Sequence, residues 1–171
     1  MVDGEFHSGG YGGPVGLVGL VNGKVGMFTG GRGGWIINHR VAIGGGGYSL
    51  LFNIDTDAVS ENGKPLYLDM SYGGFEIEYI HHSDRLVHWT IHTLLGRGAV
   101  KLKEHNPNEA KESDSFYILE PSFNIDLNVA SWFRIGFGGS YRIALGVDLD
   151  GVSSSDICGP SALIIFKFGR F

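Results

Sequence analysis

A single cysteine, Cys158, rules out any internal disulfide. No apolar run approaches the ~18 residues of a transmembrane helix, and helical periodicity is hard to find anywhere in the chain. Lysine and arginine number 13 against 18 aspartates and glutamates, a net charge of −5, which argues against a nucleic-acid partner. The first thirty residues lack a basic region followed by a hydrophobic core, so no signal peptide is read in them. The glycine clusters in GGRGGWIINHRVAIGGGGY match neither a P-loop nor a dinucleotide fingerprint, and no helix follows them. No nucleophile elbow appears either, so no catalytic residue is assigned. On a strand, His88 and His92 stand about 13 Å apart, too far to share an ion, so no metal or other cofactor is expected.

Glycine is abundant: 29 of the 171 residues, without the G-X-Y period of collagen. The content of 43% hydrophobic and 12% aromatic residues is too high for a disordered glycine-rich chain. Alternation of apolar and polar residues is the dominant pattern. In YILEPSFNIDLNV (117–129), Tyr117, Leu119, Phe123, Ile125, Leu127 and Val129 fall on one face, and Glu120, Ser122, Asn124 and Asp126 on the other. Eight such segments follow one another, at about 11–21, 25–37, 40–54, 66–80, 85–103, 115–129, 132–147 and 160–171. Residues 1–10 read as an extended leader and 11–171 as one domain.

The connections alternate in length. Short turns follow segments 2, 4 and 6; long polar loops (DTDAVSENGKP, HNPNEAKESD and DLDGVSSSDICGP) follow segments 3, 5 and 7. This asymmetry and the even strand count predict an all-β, eight-stranded antiparallel up-and-down barrel, a transmembrane one with its long loops at one end. The apolar faces of segments 5 to 7 run almost without charge, as lipid requires. Trp35, Trp89, Phe123, Phe133, Phe137 and Tyr141 are the expected lipid-facing aromatics. The opposite face predicts a lumen network of Arg32, Glu76, His88, Glu120, Asp126, Arg134 and Arg142. Asp126 would sit across from Arg134, Glu120 diagonally near Arg142, and Glu76 across from His88. In LYLDMSYGGFEIEYI the apolar parity changes, so a bulge at Gly73-Gly74 is expected. It would turn Leu68, Met70 and Tyr72 outward and Asp69, Ser71, Glu76 and Glu78 inward. The loop carboxylates Asp55, Asp57, Glu61, Asp148, Asp150 and Asp156 lack EF-hand spacing and read as solvated.

The last segment, SALIIFKFGRF, resembles the terminal strand of outer-membrane barrels, whose closing aromatic, here Phe171, is read by the assembly machinery. Lys167 and Gly169 depart from that signal. Through GGRGGWIINH, IGGGGY, the SD-LVHW turn region and FKFGRF, the chain also resembles a family of small glycine-rich outer-membrane barrels widespread in Bacteroidota. The resemblance implies the outer membrane of a Gram-negative bacterium and carries no activity with it. The expected partners are the bilayer and a protein or polysaccharide met by the loops, with the barrel a monomer. Two other readings remain open at this point. Gly33-Gly34-Trp35 fits the G-x-W of lipocalins, soluble eight-stranded ligand carriers, and some small membrane barrels are lipid-modifying enzymes.

Overall fold

The computed structural model describes residues 7–59, 65–103, 110–149 and 152–171, without the side chains of 57–59, 110–112 and 148–149. Eight antiparallel staves close on themselves. They are β1 (Ser8–Val21), β2 (Lys24–Ile37), a composite of β3 (Val41–Leu50) and β4 (Ile54–Val59), β5 (Pro65–His81), β6 (Val87–Lys103), β7 (Ala110–Ala130), β8 (Phe133–Leu145) and β11 (Gly159–Arg170). β3 and β4 both pair with β5 as one stave interrupted at residues 51–53, so the third strand runs on past the expected 40–54 into what reads as the DTDAVSENGKP loop. Pairing of β1 with β11, from Gly10↔Arg170 to Gly19↔Ser161, closes the ring and leaves no free edge.

Tight turns lie at one end. Asn38 and His39 both have positive φ, and the Arg40 N–H donates to the Ile37 carbonyl at 3.1 Å, a primed turn within the three-residue connection 38–40 between the paired Ile37 and Val41. At the other end, residues beyond β8 form a short hairpin of β9 (Asp148–Leu149) and β10 (Val152–Ser153), then a one-turn helix α1 (Ser154–Ile157). That piece of structure falls inside what reads in sequence as a solvated loop. Glu61, Asp150, most of the expected leader and the first half of the HNPNEAKESD loop lie outside the described residues.

Two expectations are corrected. β5 keeps a single parity through Gly73-Gly74, in register with β3 on one side and β6 on the other, so there is no bulge. Leu68, Met70 and Tyr72 therefore point into the barrel, while Asp69 and Ser71 face outward. The physical reason is that the lumen itself changes from apolar to polar along β5. The glycines serve close approach: at Gly96, opposite Gly74, a Cβ would come within 2.7 Å of the Gly74 Cα.

The cross-strand pairs are also different. The β5–β6 turn takes five residues, 82–86, rather than three, which places Glu78 across from His92 and Glu76 across from Leu94. An irregularity between Asn128 and Ala130 puts Arg134 opposite Asn128 and Gly136 opposite Asp126. Turn length sets hairpin register, and these turns are longer or bulged relative to the simplest reading.

Candidate functional site: a sealed lumen and its two rims

The half of the lumen toward the short turns is ionic. Arg32 (β2), Glu76 and Glu78 (β5), His88 and His92 (β6), Asp126 (β7) and Lys167 (β11) are all buried there, and Arg134 (β8) is buried at its lower margin, against Phe171. Lys167 is the centre: its ammonium donates to Glu78 at 2.5 Å and to Asp126 at 2.7 Å. Glu78 also accepts from the Tyr11 hydroxyl at 2.7 Å and stands 4.0 Å from Arg32. Glu76 accepts from Tyr48 at 2.8 Å and meets His92 at 3.4 Å. His88 lies 3.9 Å from Asp126. Glycines make the room: a Cβ at Gly46 would come within 2.9 Å of the Arg32 Cβ.

Burial of so many charges is tolerable only because each finds an opposite charge or a hydrogen-bond partner, since an unpaired ion in a low-dielectric interior costs several kcal/mol. Lys167, His92 and Tyr11 are missing from the network read in the sequence, where Glu78 faces inward without a partner. Their signal was parity: Ser161, Leu163, Ile165 and Lys167 share the inward face of β11. That explains why a lysine sits within the apolar terminal strand.

Glu120 and Arg142 belong to a second level. Glu120 accepts a hydrogen bond from the Ser140 hydroxyl at 2.6 Å. Arg142, fully buried, donates to the Ile157 carbonyl and the Leu20 carbonyl, both at 2.9 Å, and stacks over the Phe28 ring at 4.7 Å. It thereby ties the helix of the long-loop lid to the barrel wall.

Beyond this level the lumen is apolar. Phe28, Leu68, Met70, Val100, Leu102, Phe116 and Ile118 fill it, and Val147, Val152 and Ile157 of the lid close it from above. The lid holds itself together locally: Ser154 Oγ accepts from the Val147 N–H at 3.0 Å. Asp156 accepts from both the Ser153 N–H and the Ser153 hydroxyl, at 2.8 and 2.7 Å. These two hydrogen bonds hold the Asp156 carboxyl below its usual range. At the opposite end, Ile36, Ala42 and Ile80, with Tyr11 and Phe171 packed on them, form a smaller apolar seal. The ionic layer is thus enclosed between two apolar plugs. An interior cavity beside Leu17, Arg32 and Glu120 measures about 10 Å³, no more than one water would need.

The outer surface is inverted relative to a soluble barrel. Trp35, Phe123, Phe137 and Tyr141 are each about half exposed, with Trp89 and Phe133 beside them on the same outward face. On the described outward faces of the staves, charge is confined to the ends. Asp55, Asp69, Arg97, Lys101 and Lys103 lie toward the loops, and Arg170 at the short turns. Rings cluster along the short-turn rim, with Trp132 stacked on Phe168 at 6.2 Å and Phe133 on Phe168 at 4.9 Å. Tyr117 and Tyr141 mark the other edge. From Phe133 to Tyr141 the chain rises about 27 Å along the strand, or about 20 Å of height at a tilt of roughly 40°. That is close to the thickness of an outer-membrane apolar band.

A closed eight-stave antiparallel barrel with ions inside and an apolar belt outside has the fold of the small outer-membrane barrels. Among solved structures, the chain is similar to Neisserial surface protein A, with a TM-score of 0.65 and 10% identity over 95% of this chain and 96% of that one. It is similar also to Ail, the attachment invasion locus protein of Yersinia pestis. In Ail's complex with the heparin analogue sucrose octasulfate the TM-score is 0.56, at 13% identity over 97% and 99% of the two chains. Ail without that ligand gives a TM-score of 0.54, at 13% identity over 95% and 97%. No protein-family model matches the chain, and no curated protein sequence does.

Proposed function

We propose that this chain is a small outer-membrane barrel of a Gram-negative bacterium, of the glycine-rich Bacteroidota kind. It does not conduct, and it acts as a structural or interaction protein through its long loops. One observation carries the membrane reading: among the described residues the exposed face of every stave is free of charge between its ends, while ten charged or histidine side chains are buried inside. A charge at mid-bilayer on the outer face would cost about 2–4 kcal/mol, and water would favour the opposite arrangement. Phe171, packed against Tyr11 at the short-turn end, is read as the assembly signal.

The filled lumen supports a role at the surface rather than in transport, because an eight-stranded interior has room only for its own side chains. It also weighs against a soluble ligand carrier, which needs an interior cavity of a few hundred Å³. Against a lipid-modifying enzyme stands the position of His88, the base such a reading would use. It is enclosed beside Asp126 and away from the lipid-facing surface.

For the loop partner, charge gives a direction. Ail binds a sulfated heparin analogue, but all three long loops here carry more acidic than basic residues. Like charges repel, so the partner is a basic protein patch or an uncharged polysaccharide rather than a sulfated one. Cell fractionation followed by gel migration with and without boiling tests the location. Recovery in the outer membrane with heat-dependent migration is expected; recovery as a soluble protein without detergent would overturn it.

A further inference from the structure

The short-turn rim carries a cavity of about 510 Å³ outside the lower apolar seal, between the β2–β3 and β5–β6 turns and the chain's last residue. Its size is that of a small-molecule site. Arg40 and Arg134 line it together with His39, His81, His82 and Asp84. Arg134 is 94% buried, by its 6% exposure, and its guanidinium lies flat on Phe171 at 3.9 Å while donating to the Ser83 carbonyl at 3.2 Å. The turn is held down independently, by Asn128 donating to the carbonyls of Ser83 and Arg85.

A second observation marks the same place. Of the four non-glycine residues with positive φ among the described residues, three line this cavity: Asn38, His39 and His82. His39 occupies the second central position of a primed turn, where glycine is the least costly residue. A histidine kept in a left-handed conformation there points to a use for its side chain.

We propose that this cavity binds a glycerophosphate group. The phosphate would lie between Arg40, Arg134 and the three imidazoles, since guanidinium forks match phosphate oxygens and protonated histidines add charge. Asn38, Ser83 and Asp84 offer hydrogen-bonding groups to the glycerol hydroxyls, and Tyr79 and Phe171 offer ring surface to its carbons. Tyr79 and His81 face outward and pack on Trp89, at 5.9 and 4.4 Å, so the cavity opens at the aromatic rim. On the membrane reading above, that rim lies at headgroup height in the periplasmic leaflet. A phospholipid headgroup and a soluble glycerophosphate share this chemistry.

Binding strengthens as pH falls through the histidine range. The other ionisable groups around the cavity are Arg40, Arg134, Asp84, Tyr79 and the terminal carboxylate of Phe171, with Arg85 on the same turn and His7 tilted against His39.

The test titrates sn-glycero-3-phosphoglycerol, a phosphodiester whose single negative charge does not change between about pH 5.5 and pH 8, into the full chain in detergent, following the imidazole resonances, which does not depend on the membrane reading. Saturable binding is expected, tighter at about pH 5.5 than at pH 8. It should be at least about tenfold weaker in Arg40→Gln, whose exposed side chain is not needed for folding. His39→Gly keeps the turn and should lose part of the pH dependence. Nanodiscs of phosphatidylglycerol against phosphatidylcholine separate the sources. A response to both the soluble compound and the anionic lipid supports a headgroup site; a response to the soluble compound alone supports a free glycerophosphate. No saturable binding in either arm, or equal binding by Arg40→Gln, overturns the proposal.

Discussion

The first half of β5 sends Leu66, Leu68, Met70 and Tyr72 into the lumen; the second half, on the same parity, sends Glu76 and Glu78. The two halves of the barrel interior therefore solve one packing problem with opposite chemistry. The loop half is a hydrocarbon core closed by Val152 and Ile157 of the lid, and its stability grows with the apolar area buried. The short-turn half is an ionic layer with Lys167 at its centre, where stability depends on every charge keeping its partner. A narrow barrel has only to be filled, and either material fills it. The halves differ in how they fail: an apolar half degrades gradually as atoms are removed, while an ionic half fails when one member leaves.

The sharpest way to break the symmetry between them is Lys167→Met. It leaves Glu78 and Asp126 buried without their cation, and a loss of about 3–5 kcal/mol is expected in urea unfolding from lipid vesicles. In a double-mutant cycle, adding Asp126→Asn should be non-additive by about 1–3 kcal/mol, because the second change removes a charge already stranded. Leu68→Ala, in the apolar half, should cost about 2–5 kcal/mol alone, depending on how far the cavity collapses. It should add to Lys167→Met without coupling, since the two sites share no partner.

Smaller effects belong to the lid. Arg142→Met removes both charged hydrogen bonds to the Ile157 and Leu20 carbonyls, and the loss falls on local opening of the lid rather than on global unfolding. The lone thiol Cys158, adjoining α1, reports it: maleimide labelling should speed up while the barrel stays folded. The smallest effect is that of pH on α1. The Asp156 carboxyl is held below its ordinary range, so its contribution is fully present above the ordinary carboxylate pKa. It is lost as pH falls through the depressed value. Cys158 labelling should accelerate only on that acid side, and Asp156→Asn should remove the dependence.

Much of the fold was legible, because a period of two over 117–129 and 133–147 needs only residue identity to sort the faces. The loop-length alternation then told which end was which. Which charges meet was not legible. Pairing depends on register, register on turn length, and the five-residue turn at 82–86 moved Glu76 from His88 to His92. The false bulge in β5 came from assuming that inward means polar throughout. Leu68 and Met70 obey a barrel whose interior changes character partway along. The lid escaped notice because Val152 and Ile157 are single apolar residues within a serine- and aspartate-rich loop. Their burial depends on Arg142, distant in sequence from β1 but joined to it in space.

The central claim, that the barrel interior is sealed on both sides of its ionic layer, is tested most directly by ion current. With the full chain reconstituted in a planar bilayer and its insertion verified by heat-dependent gel migration, the account predicts no current steps above the bare-membrane baseline. Steady ohmic steps that scale with salt concentration would contradict it.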